Sequence, residues 1–511
     1  MSGGELVSDD LDATPTTSRR VARNGALYFV SLGVPAVAAL LFVPVTVRAL
    51  GPTRFGLLAL AWAIAESTGI FDFGLGKATI RFVADASGRS RERLRDVVGA
   101  SLITQTAMGL VSAILFFALV PLLVHRVFSI GAANLSEAVS MFRVLALHMP
   151  VLLFISSLRA SLEGAQRFDV STPLRIPSSL ASVIVPAWAA SAGYSLPVIM
   201  WVLLAVRLVL AALTAYAVRQ TLIGHWSRPR DFSILREMLK YSGWVAISTA
   251  AGPVLASFDR FAVGSIVGGA ALGYYAGAAE AANRFLLVPV TAFSAVFPAL
   301  AAVDAKEGRQ RSLAVTSAAR RQLMAVMFPL CATLFAFGPR LLGLWLGEQY
   351  ALDAGLALRI LAIAVFLATV AILPLALLYG SGRPDMPARI NVLQVALHIP
   401  ITIALVKFLG ITGAAIAIAV MRLEEVVLYQ WAVRRFVGTA QRDADWWART
   451  RMLWICAILL LATFAVTLSL VNITPLALIV AATGLAVYAW LTWTRVFTQR
   501  ECAAWRGMLG R

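Results

Sequence analysis

Residues 240–298 read KYSGWVAISTAAGPVLASFDRFAVGSIVGGAALGYYAGAAEAANRFLLVPVTAFSAVFP, two long apolar segments that meet at a glycine-rich turn, Gly264 to Gly273. Asp259, Arg260, Glu280 and Arg284 interrupt the apolar run. A charge at membrane depth costs about 2.5–3.5 kcal/mol on insertion scales, so such residues face a protein interior or a wet cavity. The stretch also copies the start of the chain. Gly25 precedes Pro35 by the interval that separates Gly243 from Pro253, and the turn Leu50-Gly51 to Phe55-Gly56 matches Val267-Gly268 to Leu272-Gly273 after one gap. A second half of the protein begins here.

Hydrophobic residues make up 60% of the 511 and charged residues 14%, and the mean hydropathy is +0.81. A soluble protein could not cover that much apolar surface, and the apolar residues fall in runs of about 20 or more. The pattern predicts an all-α polytopic membrane protein with about fourteen transmembrane helices. The short alternating strands of a membrane barrel are absent from the sequence. The net charge of +18 is a topology signal. Basic residues cluster in alternate connections (Arg89 to Arg95, Arg228 to Lys240, Lys306 to Arg321, Arg434 to Arg451), while Ser191–Pro197, Gly268–Gly273 and Asn472–Pro475 carry little charge. By the positive-inside rule both termini are cytoplasmic and nucleic acid is no partner. Trp446-Trp447 is expected to anchor at the inner interface. Cys331, Cys456 and Cys502 form no disulfide or metal pattern, and no cofactor is expected.

The repeat continues downstream. Arg143-Val-Leu-Ala146 recurs as Arg359-Ile-Leu-Ala362, Gly164-x-x-Arg167-x-Asp169 as Gly380-x-x-Arg383-x-Asp385, and Arg207-Leu208 as Arg422-Leu423. Ordered matches at nearly constant spacing describe two parallel six-helix repeats, an N-lobe and a C-lobe, followed by two extra C-terminal helices. The expected divisions are a cytoplasmic tail 1–23, the N-lobe 24–220, a linker 221–236, the C-lobe 237–435, an interfacial segment with the last two helices 436–497, and a cytoplasmic tail 498–511.

Leu50-Gly51-Pro-Thr-Arg-Phe55-Gly56-Leu57, Phe71-Asp-Phe-Gly74-Leu-Gly76, Asp259-Arg260, Gly273-Tyr274-Tyr275 and Tyr379-Gly-Ser-Gly-Arg383 carry a resemblance over about residues 20–440. The chain resembles the polysaccharide transporters, or O-antigen-type (Wzx-like) flippases, of the multidrug/oligosaccharidyl-lipid/polysaccharide exporter superfamily. The resemblance implies a non-enzymatic protein of the bacterial plasma membrane. It implies transport of an undecaprenyl-pyrophosphate-linked oligosaccharide by alternating access, for exopolysaccharide, O-antigen or capsule synthesis. The lipid-linked substrate and membrane lipids are the implied partners, H+ or Na+ the candidate coupling ions, and a polymerase with its export machinery the candidate protein partners.

A pyrophosphate with polar sugars calls for a wet, cationic lumen. Arg suits phosphate because its planar fork stays charged and donates several hydrogen bonds. The expected lumen residues are Arg284, Asn283, Glu280, Glu66, Lys77, Arg81 and Arg207. For Arg284 the competing reading is an i,i+4 pair with Glu280 that only neutralises itself. On one continuous helix over 55–84, Glu66, Lys77 and Arg81 share a face; Arg81 reads equally as an interfacial anchor. Asp72, Asp259, Arg260, Arg422 and Glu424 are candidates for coupling or gating, because a buried carboxylate moves toward the range in which it carries a proton. Arg207 and Arg422 read either as lumen groups or as helix-pairing groups. His148 reads as a packed polar residue, and the repeated Gly164 to Asp169 and Gly380 to Asp385 loops as turn and cap chemistry. Asn472-Ile-Thr474 matches a glycosylation sequon by accident of its place beside the bilayer. The rival readings are a drug or cation antiporter, a lipid II flippase, and, in a different class, a membrane glycosyltransferase or polymerase.

Overall fold

The computed structural model describes residues 15–226, 233–249, 251–293, 308–439, 444–469 and 474–498. Outside the described residues lie the ends of both expected tails, part of the linker, Lys306, Asn472 of the sequon, Cys502 and the side chain of Trp446. The regular structure of the described residues is helical: α1 Pro15–Ser67, α2 Leu75–Ser87, α3 Arg91–Leu122, α4 Ala132–Gly164, α5 Phe168–Ser191, α6 Leu196–Val218, α7 Ser233–Thr249, α8 Ala251–Ile266, α9 Gly269–Phe285, α10 Arg309–Leu346, α11 Glu348–Gly380, α12 Asp385–Ala432, α13 Ala444–Ser469 and α14 Thr474–Leu491. Among the described residues nine helices are long and apolar enough to cross a membrane. Two of these are folded. α1 bends at Gly51 (φ 71°) and α12 at Gly410 (φ 58°), a left-handed conformation that glycine adopts without Cβ strain. α12 holds two of the spans expected from the sequence, and α1 holds one and the first part of a second. Large apolar side chains such as Ile114, Leu344 and Phe408 are exposed at 68%, 80% and 80%, a surface that only lipid would cover.

Within the N-lobe α4 packs on α2, α3 and α6; within the C-lobe α11 packs on α9, α10 and α12. A buried hydroxyl chain stitches the N-lobe helices. Ser101 Oγ lies 2.6 Å from Thr79 Oγ1 and 2.7 Å from Ser157 Oγ, and Gln105 donates to both Thr79 and Ser101 at 3.3 Å. The repeat is visible in backbone detail. Positive φ occurs at Gln166 (58°) and at its counterpart Gly382 (73°), and Arg167–Asp169 (3.0 Å) is matched by Arg383–Asp385 (3.3 Å). The expectation that Gly164 and Gly380 supply the positive φ and that the aspartates cap is corrected here: the turn falls two residues later and each aspartate pairs with its arginine. Gly164 instead allows close packing, because a Cβ there would stand 2.7 Å from the Ile80 carbonyl oxygen.

The expected continuous helix over 55–84 is also corrected. α1 stops at Ser67, a 3-10 turn covers Thr68–Ile70, and α2 begins at Leu75. Phe73 (φ 46°) and Gly74 (φ 76°) reverse the backbone, and the Asp72 carboxylate accepts the Gly76 N–H at 2.9 and 3.2 Å, satisfying an orphan donor of α2. The phase is reset there, so Glu66 does not share a face with Lys77 and Arg81.

The lobes meet where α1 packs against α8 and α9. The two copies of the glycine turn face one another: a Cβ on Gly273 would overlap the Pro52 carbonyl, and one on Gly56 would overlap the Gly269 carbonyl. Ser129 extends this seam, its N–H donating to the Gly264 carbonyl at 3.1 Å and its hydroxyl to the Ser265 carbonyl at 2.7 Å. A second tie crosses the lobes elsewhere. Pro44 has no N–H for the Leu40 carbonyl four residues back, and the Trp345 indole of α10 donates to that oxygen at 2.7 Å. The turn contact has a direct test. A Cβ on Gly269 would lie 3.4 Å from the Thr53 methyl, so Thr53→Cys with Gly269→Cys is expected to cross-link under mild oxidant. Adding Gly273→Val should cut the yield several-fold, read by cleavage between the lobes and gel mobility; an unchanged yield would show that the glycines do not set the approach.

Candidate functional site

Behind the glycine turns a cavity of about 370 Å³ opens between the lobes. Its polar lining comes from four helices: Glu66 from α1, Ser179 and Ser182 from α5, Arg207 from α6, and Glu280 with Arg284 from α9. Trp62, one turn before Glu66, supplies an aromatic wall. The helices deliver these residues for local reasons. Ser179 and Ser182 are three residues apart, and Glu280 and Arg284 four, the spacings that put side chains on one helical face. Glu66 falls in the last turn of α1, just before the Asp72-capped break.

The charges form a ladder that crosses the lobe boundary. Arg284 donates to Glu280, Arg260 of α8 lies 3.5 Å from Glu280 and 3.7 Å from Glu66, and beside it the Tyr275 hydroxyl donates to Asp259 at 2.5 Å. The Arg260 side chain is 7% exposed and Glu280 14%, whereas Glu66 is 66% exposed and reaches into open space. Burial this deep is tolerable because each charge meets an opposite one. On the N-lobe side Arg207 Nη1 lies 2.6 Å from His148 Nδ1, and His148 Nε2 lies 3.0 Å from the Met200 carbonyl oxygen.

The fold thus gathers Glu66, Arg207, Glu280 and Arg284 around one space, with Arg260 and Asp259 directly behind. It does not gather the others. Lys77 and Arg81 are exposed on α2, and Asn283 is exposed on α9 and does not line the cavity. Asp72 caps α2. Arg422 Nη1 donates to both carboxylate oxygens of Glu425, at 2.8 and 2.9 Å, and Glu424 is half-buried beside it. Trp62, Ser179 and Ser182 were not singled out from the sequence; His148 was read there as a packed polar residue, which it is, but its contact with Arg207 was not foreseen. The serine pair was available from its helical spacing; the His148 contact became legible only once α4 and α6 were packed.

A second, apolar cavity of about 500 Å³ lies on the other side of the α1 terminus, lined by Ile64 and Phe116 of the N-lobe and by Val254, Phe258 and Ile403 of the C-lobe. Ile64 and Ser67 line this cavity and Glu66 the polar one, so the last turn of α1 divides a charged space from a greasy one.

Two lobes of repeated topology around a charged central cavity define a multi-pass membrane transporter. The chain belongs to the polysaccharide biosynthesis protein family, whose sequence profile matches residues 45–354. It is 24% identical over 423 residues, 81% of this chain and 98% of the other, to a Shigella flexneri protein named as an O-antigen transporter. It is also 24% identical over 208 residues, 41% of this chain and 44% of the other, to a Haloferax volcanii protein named as a flippase of low-salt glycan biosynthesis. Solved structures share the fold. An inward-facing multidrug resistance MATE family transporter of the MOP superfamily superposes with a TM-score of 0.67 at 16% identity, over 80% of this chain and 94% of that one. A MOP superfamily transporter from Pyrococcus furiosus, described as having a binding pocket of reversed polarity, gives 0.61 at 17% identity over 81% and 95%.

The ladder makes a stability prediction. Arg260→Gln leaves Glu280 buried with one partner fewer and is expected to cost about 3 kcal/mol, seen as a lowered melting temperature in detergent. Adding Glu280→Gln should recover a large part of that loss. A wild-type melting temperature for Arg260→Gln alone would mean the ladder carries no stability.

Proposed function

We propose that the chain moves an undecaprenyl-pyrophosphate-linked oligosaccharide from the inner to the outer leaflet of a bacterial plasma membrane, with both termini in the cytoplasm. The observation that carries this reading is the pairing of a cavity bearing Arg207 and Arg284 with an apolar cavity across the end of α1. An amphiphile with an anionic head and a polyprenyl tail needs both, the head held by guanidinium donors and the tail kept from water. The names of the Shigella and Haloferax relatives support a glycan cargo over lipid II.

Transport proceeds by alternating access. In this structure the lobes are shut at the end that holds the glycine turns, which the distribution of basic residues assigns to the outside. Separation of these turns, with closure at the opposite end, would carry the head group across while each lobe stays rigid. Breakage of the Arg260–Glu66 contact is the electrostatic step of that swing, since Glu66 is on the N-lobe and Arg260 on the C-lobe. Coupling to an ion would run through Glu66, Asp259 or Glu280, the carboxylates in or behind the cavity.

The rival reading, extrusion of a cationic drug, predicts a net acidic cavity; here two arginines face two glutamates, with Arg260 and Asp259 behind them, so the charges balance. The test is done in the producing bacterium with the gene deleted. Export should stop, lipid-linked precursor should accumulate in the inner leaflet, and drug susceptibility should not change. Replacement by Arg284→Lys is expected to lower export about tenfold at equal membrane level, since Lys lacks the bidentate fork. Undiminished export on deletion, or a drug phenotype without a glycan phenotype, would sink this function.

A further inference from the structure

We propose that Arg207, backed by His148, is the principal grip on the pyrophosphate, and that His148 is a positioning residue that orients this guanidinium without cancelling its charge. The inference rests on the cavity reading given above and goes beyond it by ranking the cations.

The cavity region holds three arginines, and two are answered by carboxylates: Arg284 donates to Glu280, and Arg260 lies between Glu280 and Glu66. Among the described residues no carboxylate pairs with Arg207. Its polar neighbour is a ring nitrogen, at 2.6 Å. The repeat sharpens the contrast. Arg422 occupies the equivalent place in the C-lobe and is neutralised there by Glu425, whose two carboxylate oxygens both accept from its Nη1. Of two arginines inherited from one duplicated helix, only the N-lobe copy keeps an uncancelled charge, and only that copy lines the inter-lobe cavity.

The hydrogen bonds of His148 set its protonation. A carbonyl oxygen can only accept, so the 3.0 Å contact with Met200 requires the proton on Nε2. A guanidinium can only donate, so the 2.6 Å contact requires a lone pair on Nδ1. Both hold only for the neutral Nε2–H tautomer. The ring is fully buried and Arg207 is 9% exposed, so packing fixes the pair. His148 accepts one of the five donors of the guanidinium, and the rest are left for a ligand between Arg207 and the Ser179 and Ser182 hydroxyls across the cavity. A carboxylate in place of His148 would orient Arg207 equally well and silence it, as Glu425 does Arg422.

The experiment measures binding of undecaprenyl pyrophosphate to the purified full-length chain in detergent by isothermal titration, with each variant checked for a monodisperse size-exclusion peak. Arg207→Lys is expected to weaken binding about tenfold or more, because the planar fork is lost. His148→Gln should hold within about threefold, since its amide accepts from Arg207 and donates to Met200. His148→Glu should remove saturable binding while the chain stays folded, an outcome a merely structural histidine would not produce. Excess inorganic pyrophosphate should displace the probe from the unaltered chain if the head group, and not the tail, is recognised at this site. Wild-type affinity in both Arg207→Lys and His148→Glu, with loss only in Arg284→Gln, would overturn the assignment and leave the cavity reading standing. Absence of saturable binding by the unaltered chain would overturn both.

Discussion

The close approach of two glycine turns is the constraint on which the arrangement depends. Gly56 and Gly273 let two backbones touch where any side chain would hold them apart, and membrane helices associate through such small-residue contacts because no hydrophobic force drives them together in lipid. The turns are copies of one another, so a duplicated unit meets itself nearly symmetrically. That contact brings α1 against α8 and α9, which places Glu66 within reach of Arg260 and encloses the central space. An approach wider by one methyl group would separate the charges that now answer each other across the lobes.

Symmetry of backbone does not extend to chemistry. The same turn recurs at Gln166 and Gly382, each followed by an Arg–Asp pair. In the helix centres the copies have diverged. The N-lobe arginine leans on a neutral ring and faces the cavity, while its C-lobe twin is locked to Glu425. The C-lobe in turn holds the ladder from Asp259 to Arg284. A cavity with different chemistry on its two walls can bind one end of a ligand strongly while the lobes separate, which a symmetric pair of sites would resist.

Much of this was legible from residues alone, because bilayer hydropathy and the repeat are both strong one-dimensional signals. Glu280 and Arg284, four apart on one helix, could be paired on paper, and the structure pairs them. The break after Ser67 was not legible: glycines at 69, 74 and 76 permit one, but the Asp72 cap on Gly76 decides where helix restarts. With the break, Lys77 and Arg81 leave the face assigned to them. Arg260–Glu66 and Arg207–His148 join residues far apart in the chain, and spacing cannot reveal a contact that packing creates. Asn283, adjacent to Arg284 and polar, turns outward because neighbours on a helix point about 100° apart.

On the proposed function, this chain carries an anionic lipid-linked glycan across a bilayer through the space between its lobes. Reconstitution into liposomes tests it most directly, with an undecaprenyl-pyrophosphate-linked oligosaccharide placed in both leaflets and a membrane-impermeant glycosidase added outside. Empty liposomes should protect about half of the glycan, and liposomes with the protein should lose nearly all of it as inner-leaflet molecules cross. Protection that stays at about half with folded, correctly inserted protein would contradict the account.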